Sequence, residues 1–285
     1  MKHRYGATFG GAMAFVLAAC SPLKTFDTLV PKDRGGALIV GDAAYGSDPR
    51  QHLDIYAPRR HGAAPLPIIV FFYGGSWNSG TKTGYSFVGR ALAARGFVVA
   101  IPDYRLLPQI RYPVFLEDNA AAVRWVRAHA GTFGGDPDRL VLAGHSAGAY
   151  DAAMLALDPK WLGADRGAVK AFVGLAGPYD FLPLQGVVVK ETFGDVPDRD
   201  ATQPVNHVST DSPPAFLATG DKDQVVLPRN SDSLAVKLKA KGVFVERQCY
   251  AEVGHAGLIT AFAKPLRNRA AVLEDLTAFL RRIVG

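Results

Sequence analysis

The stretch Leu140-Val-Leu-Ala-Gly-His-Ser-Ala-Gly-Ala-Tyr150 decides the fold. Leu140 to Ala143 is an apolar run of strand type, and Ala147 to Leu157 carries a helical pattern. Between them Ser146 stands in Gly144-His145-Ser146-Ala147-Gly148. Glycines at 144 and 148 permit a sharp strand-to-helix turn that would hold the serine hydroxyl out. Five residues alone do not separate a plain glycine turn from an exposed nucleophile. The surrounding chain has to do so.

Outward from that turn, strand-like runs alternate with helical ones. His52 to Tyr56 alternates as a half-exposed strand should, and Pro67 to Phe72 is continuously apolar, as in a strand covered on both faces. Further strands are expected at 97–101, 171–175, 215–218 and 244–247. The clearest helix covers 115–130, where Leu116, Ala120, Val123 and Val126 recur at steps of three and four; others fall near 84–95, 147–157, 231–241 and 268–282. This alternation predicts an α/β fold: a mostly parallel central sheet with helices on both faces, begun by an antiparallel edge. Residues 177–214 break the rhythm with several Pro and Asp residues and are expected to form a cap-like insertion above the strand ends.

The chain has 285 residues, 48% hydrophobic and 20% charged, which suits an ordinary globular core. The net charge of +6 is dispersed apart from Lys264, Arg267, Arg269, Arg281 and Arg282, read as a solvated helix face, and nothing points to nucleic acid. Lys2 and Arg4 precede an apolar stretch from Gly6 to Ala19, too short to span a membrane but of export-signal type. Its end, Leu17-Ala18-Ala19-Cys20, resembles the lipobox of bacterial lipoproteins. The expected organisation is a signal peptide at 1–19, a tether at 20–35 and a globular domain at 36–285. By that resemblance Cys20 carries lipid and anchors the protein to a membrane of the bacterial envelope, the outer one in a Gram-negative cell, given Ser21. Cys249 then lacks a partner and is read as a core thiol. No Cys/His grouping has metal-ligand spacing, so no metal site is expected.

A serine hydroxyl is a poor nucleophile until a base takes its proton, and a histidine base needs a carboxylate to fix its tautomer. On a sheet of this type the chain order is serine, acid, histidine. Of seven histidines only His207 and His255 follow Ser146, and His207 precedes the strongest acid candidates. His255 lies after a strand ending near Tyr250. The acid should follow the strand at 215–218, where Asp221 and Asp223 compete; Asp223 is preferred because Asp221 sits close to the strand end. Asp180 also follows a strand and is read as a loop residue. Oxyanion donors are sought at Ala147, after the serine, and in Tyr73-Gly74-Gly75-Ser76-Trp77, after the buried strand.

Taken together, these segments resemble the α/β-hydrolase superfamily. The narrower likeness is to carboxylesterases with an H-G-G-x-W loop, related to hormone-sensitive-lipase-like esterases and kynurenine formamidases. It rests on LDIYAP (53–58), YGGSW (73–77), PDYRL (102–106), FGGDPDRLVLAGHSAGA (133–149), GDKDQVV (220–226) and VGHAG (253–257). The resemblance implies a triad of Ser146, Asp223 and His255, and oxyanion donors at Gly75, Ser76 and Ala147, with Gly74 shaping the loop. Tyr73 stands where the family has a loop-bracing histidine. It further implies a small-molecule ester substrate, an acyl-enzyme and no cofactor. Two other readings stay open: amide or arylformamide hydrolysis on the same triad, and a non-catalytic envelope binding module. The sequence does not give the oligomeric state.

Overall fold

The computed structural model describes residues 22–285. The expected signal peptide and Cys20 lie outside the described residues. Strands β1 (Gly36–Ala44) and β2 (His52–Pro58) pair antiparallel, and β2 pairs antiparallel with β4 (Val98–Pro102). From there β3 (Leu66–Phe72), β5 (Gly135–His145), β6 (Val169–Leu175), β7 (Ala215–Gly220) and β8 (Val245–Tyr250) continue in parallel. The eight strands among the described residues lie in the order β1-β2-β4-β3-β5-β6-β7-β8. Every crossover in the parallel part therefore delivers its loop to the same end of the sheet, where such folds bind ligands.

The central strands are apolar because helices cover both of their faces. Ile68 to Phe72 of β3 and Leu140 to Leu142 of β5 have no exposed surface. Helices α2 (Ser86–Ala93) and α9 (Val272–Val284) belong to one layer, joined where Arg95 meets Glu274 at 2.8 Å. Helices α3 (Val114–His129), α4 (Ala147–Leu157), α5 (Pro159–Leu162) and α7 (Arg229–Ala240) make up the other. Helix α4 is buried along its whole length, so its sequence is apolar on every side apart from Asp151 and the Tyr150 hydroxyl.

Four features depart from the sequence expectations. Strand β1 was not foreseen, because only its first residue is buried and two register shifts break its alternation. Residues 22–29 form a helix, α1 (Pro22–Leu29), where a tether was expected. The buried Asp27 holds it, accepting hydrogen bonds from the Phe87 N–H and the Ser86 hydroxyl, each at 2.8 Å. Cys249 is exposed on the edge strand β8 instead of buried in the core. Finally, residues 177–214 contain one short α-helix, α6 (Val187–Phe193), two 3-10 helices at Asp200–Thr202 and Pro204–His207, and turns fixed by side chains. Asn230 Oδ1 accepts from the Tyr179 and Asp180 N–H groups, and Gln203 Oε1 from that of Phe181.

Candidate active site

Ser146 sits at the end of β5 with φ 56° and ψ −123°, a conformation costly for any residue with a side chain. The turn persists because its neighbours leave no alternative. A Cβ on Gly144 would come 2.1 Å from the Gly148 carbonyl oxygen, and one on Gly148 2.1 Å from that of Phe72. The two glycines therefore serve close approach, and neither has a positive φ. The Ser146 N–H donates to the Leu175 carbonyl at the end of β6, fastening the turn across the sheet.

Three chain segments bring the predicted chemistry together. His255 opens α8 (His255–Thr260), and its Nε2 lies 2.9 Å from Ser146 Oγ. Its Nδ1 lies 2.8 Å from Asp223 Oδ2. The other oxygen of Asp223 accepts the N–H groups of Val225 and Val226, both at 2.9 Å, and the carboxylate is wholly buried. Asp221 points elsewhere, half-exposed beside Lys222. Asp180 accepts from Ser233 in α7, and His207 bonds to the Ala201 carbonyl, so both are structural. Asp223 is the carboxylate that meets the histidine.

The loop after β3 comes up beside the serine. Gly75, Ser76 and Trp77 have φ of 140°, 50° and 57°, three consecutive residues in the region that favours glycine. Several bonds hold that strain in place. The Gly75 carbonyl accepts from Asn78 and Ser79, and the Trp77 carbonyl accepts from the Leu107 N–H. Trp77 Nε1 donates to Asp151 of α4 at 3.0 Å. Gly74 lies so close to the turn that a Cβ would meet Ser146 Cβ at 2.9 Å. Gly75, Ser76 and Ala147 donate to no protein acceptor among the described residues, and all border cavities that also contain Ser146. Ala147 is the first residue of α4, whose N-terminal N–H groups carry partial positive charge.

Tyr73 lies behind this loop. Its hydroxyl accepts from Arg50 Nη2 at 2.7 Å, its carbonyl accepts from the Tyr104 hydroxyl at 2.8 Å, and its ring stacks on Tyr104 at 4.7 Å. Burial keeps the phenol well above the usual tyrosine range, so it stays neutral. The bracing expected of a histidine here is done by a tyrosine–arginine pair.

Three residues of the site had not been singled out from the sequence. The Gly74 N–H donates to Tyr85 Oη at 3.0 Å, and the Tyr85 hydroxyl donates to His145 Nδ1, also at 3.0 Å, in the tautomer that places the ring proton on Nε2 toward the His255 carbonyl. His145 Nε2 in turn faces the His255 carbonyl at 3.4 Å. Burial, and then the neighbouring His255, hold the His145 pKa well below 6.5, so it is uncharged. Asp151 is fully buried; burial raises its pKa well above the carboxylate range, against the donors Trp77 and Asn119. The only hint of these roles in the sequence was the polar character of His145 and Asp151 within an apolar strand–helix unit.

Two cavities flank Ser146. One, of about 280 Å³, is walled by Trp77, Phe181, Val189 and Leu227 and reached by Arg229; the insertion at 177–214 supplies much of its lining. The other, of about 390 Å³, is walled by His255, Ile259, Tyr85 and two residues of α1. Both lie near the lower end of ordinary ligand sites. Among the described residues no group of His, Cys, Asp and Glu could hold a metal ion, and no helix is long and apolar enough to cross a membrane.

An eight-stranded, mostly parallel sheet with its serine on the turn after β5 defines an α/β-hydrolase fold. The BD-FAE family model matches residues 53–238, and the chain belongs to that family. It is similar to esterase LipC of Mycobacterium tuberculosis, 34% identical over 220 residues that make up 69% of this chain and 54% of LipC. Esterase LipQ of the same organism is 30% identical over 269 residues, covering 86% of this chain and 62% of LipQ. The chain thus spans little more than half the length of these relatives. A crystal structure of a variant of the esterase rPPE superposes with a TM-score of 0.76 at 25% identity, covering 92% of this chain and 88% of that one.

Proposed function

We propose that the protein is a serine esterase that hydrolyses small carboxylic esters through an acyl-enzyme. The observation that carries this is the unbroken array Asp223–His255–Ser146, at 2.8 and 2.9 Å, on a strained turn bordered by free N–H groups. Asp223 holds the Nδ1 proton of His255, leaving the Nε2 lone pair for the serine proton. Ser146 Oγ attacks the ester carbonyl as His255 takes that proton. The negative charge on the former carbonyl oxygen falls to the N–H groups of Gly75, Ser76 and Ala147, a contribution worth several kcal/mol in such sites. The carbon–alkoxide bond breaks, and the alcohol leaves with the proton from His255. Water, deprotonated by His255, then attacks the acyl-serine, and the proton returns to Ser146 as the acid departs.

The geometry also assigns the two cavities. The leaving oxygen must lie within hydrogen-bond reach of His255 Nε2 to receive its proton. The cavity walled by His255 and Ile259 therefore takes the alcohol, and the one beneath the insertion takes the acyl group. LipC and LipQ, both esterases by name, support the reaction class. The test is p-nitrophenyl acetate hydrolysis by the parent and Ser146→Ala: the parent is expected to turn over with transient acetylation of Ser146, and the variant to fall to background. Turnover by Ser146→Ala at a rate near the parent's would refute the reading.

Lipid attachment at Cys20 is proposed on the Leu17–Cys20 pattern alone. Incorporation of an alkyne fatty acid into the parent but not Cys20→Ala is the expected result.

A further inference from the structure

Helix α1 contributes to the cavity that the mechanism assigns to the alcohol. Leu23 and Phe26, three residues apart on α1, border it together with Ser146, His255 and Ile259. The helix is fixed on two flanks. On one, Asp27 caps the start of α2 through Phe87 and Ser86, Lys32 pairs with the same carboxylate at 3.2 Å, and the Phe26 ring meets Phe87 edge-on at 5.3 Å. On the other, Asp33 pairs with Arg267, which also donates to the Phe262 carbonyl at 3.0 Å, two residues beyond α8. The segment 22–33 thus runs from the start of α2 to the far end of the helix that begins at His255.

The chemistry of this space is largely uncharged. Apart from His255 and His145, the described side chains bordering it are apolar, aromatic or hydroxyl-bearing, and among the described residues no Lys, Arg, Asp or Glu borders it. An anionic alcohol would lose hydration there without gaining a cationic partner, whereas one with an apolar or aromatic face would bury it. We infer that α1 is a substrate-binding element, that Leu23 and Phe26 select esters with an apolar, non-anionic leaving alcohol, and that Asp27 is the latch that keeps them in place. This rests on the esterase reading above.

The test compares kcat/KM for phenyl acetate and methyl acetate, which share an acyl group, in the parent, Leu23→Ala, Phe26→Ala and Asp27→Ala. A second pair sets the anion acetoxyacetate against its uncharged isostere acetoxyacetamide. In each variant the phenyl-to-methyl ratio is expected to fall about tenfold, the scale of a lost apolar contact in a substrate pocket. The parent is expected to favour the uncharged isostere by at least about tenfold. Phe26→Leu, which keeps an apolar contact with Phe87, gives the same readout in milder form if Phe26→Ala does not fold. A ratio that stays at the parent value in folded variants, or a parent that prefers acetoxyacetate, overturns the inference. Fluorophosphonate labelling run in parallel separates the two claims. A labelled parent with an unmoved ratio refutes the role of α1 alone, and a folded parent that does not label refutes the esterase reading beneath it.

Discussion

Replacing Asp223 by Asn tests the array at the point where geometry and electrostatics separate. The carboxylate is wholly buried and makes three hydrogen bonds: two from the N–H groups of Val225 and Val226 to one oxygen, and one to His255 Nδ1 from the other. Asparagine matches its shape, and its carbonyl oxygen can keep the two backbone donors. The amide nitrogen then faces His255 and donates to Nδ1, which moves the imidazole proton to Nε2. In that tautomer His255 cannot take the proton of Ser146, although 2.9 Å still separates the pair. Where a buried triad aspartate has been made amide, the wrong tautomer costs about 10⁴ in kcat, or about 5.4 kcal/mol of barrier. Because the loop bonds survive, thermal stability should stay within about 1 kcal/mol of the parent. Steady-state hydrolysis of p-nitrophenyl acetate, with a urea melt alongside, reads both quantities. Asp221→Asn is the control and should lie within about twofold of the parent, since its carboxylate faces Lys222 and solvent. If Asp223→Asn keeps more than about a tenth of the parent kcat, or Asp221→Asn loses as much, the assignment of the acid is wrong.

Other consequences follow from the same contacts. Gly148→Ala would press a methyl to 2.1 Å from the Phe72 carbonyl oxygen and should destabilise the fold by about 3 kcal/mol or prevent soluble expression, read by urea denaturation. Trp77→Phe removes the indole donor from the fully buried Asp151, leaving that carboxyl only Asn119; a loss of about 2 kcal/mol is expected in the same assay. His145, held well below 6.5 when folded, binds a proton more readily in the unfolded chain, so acid favours unfolding. Relative to His145→Gln, the parent should lose about 1.4 kcal/mol of stability per pH unit as pH falls below 6.5, until the folded state is also protonated. Urea midpoints of both proteins at pH 7 and 5 that move in parallel would refute it.

The parts legible in the sequence were those written by local patterns. Pro67 to Phe72 and Leu140 to Ala143 are apolar without interruption because both faces of β3 and β5 are covered, and that continuity is visible residue by residue. Ser146 and His255 could be read because the serine turn constrains its own glycines and because strand order fixes where the base must fall. The choice of Asp223 over Asp221 was closer. It turns on which side chain leaves the loop toward His255, which depends on the Val225 and Val226 N–H groups gathered beneath it. What could not be read is what only tertiary contact stabilises. Helix α1 is eight residues long, below what holds together alone, and exists through Asp27 and Phe26 against α2. Tyr85 and His145 lie sixty residues apart and join only once β5 and the β3 loop are neighbours. Strand β1 is mostly exposed and irregular, so it leaves no period to detect.

The proposed activation of Ser146 by His255 and Asp223 would make it the one reactive serine of the protein. Treatment of the domain with a fluorophosphonate, followed by mapping of the adduct by peptide mass spectrometry, tests it most directly. One modified serine is expected, Ser146, labelled in the parent, with the label lost in His255→Ala. A folded parent that stays unmodified, or a label on any other serine, would contradict it.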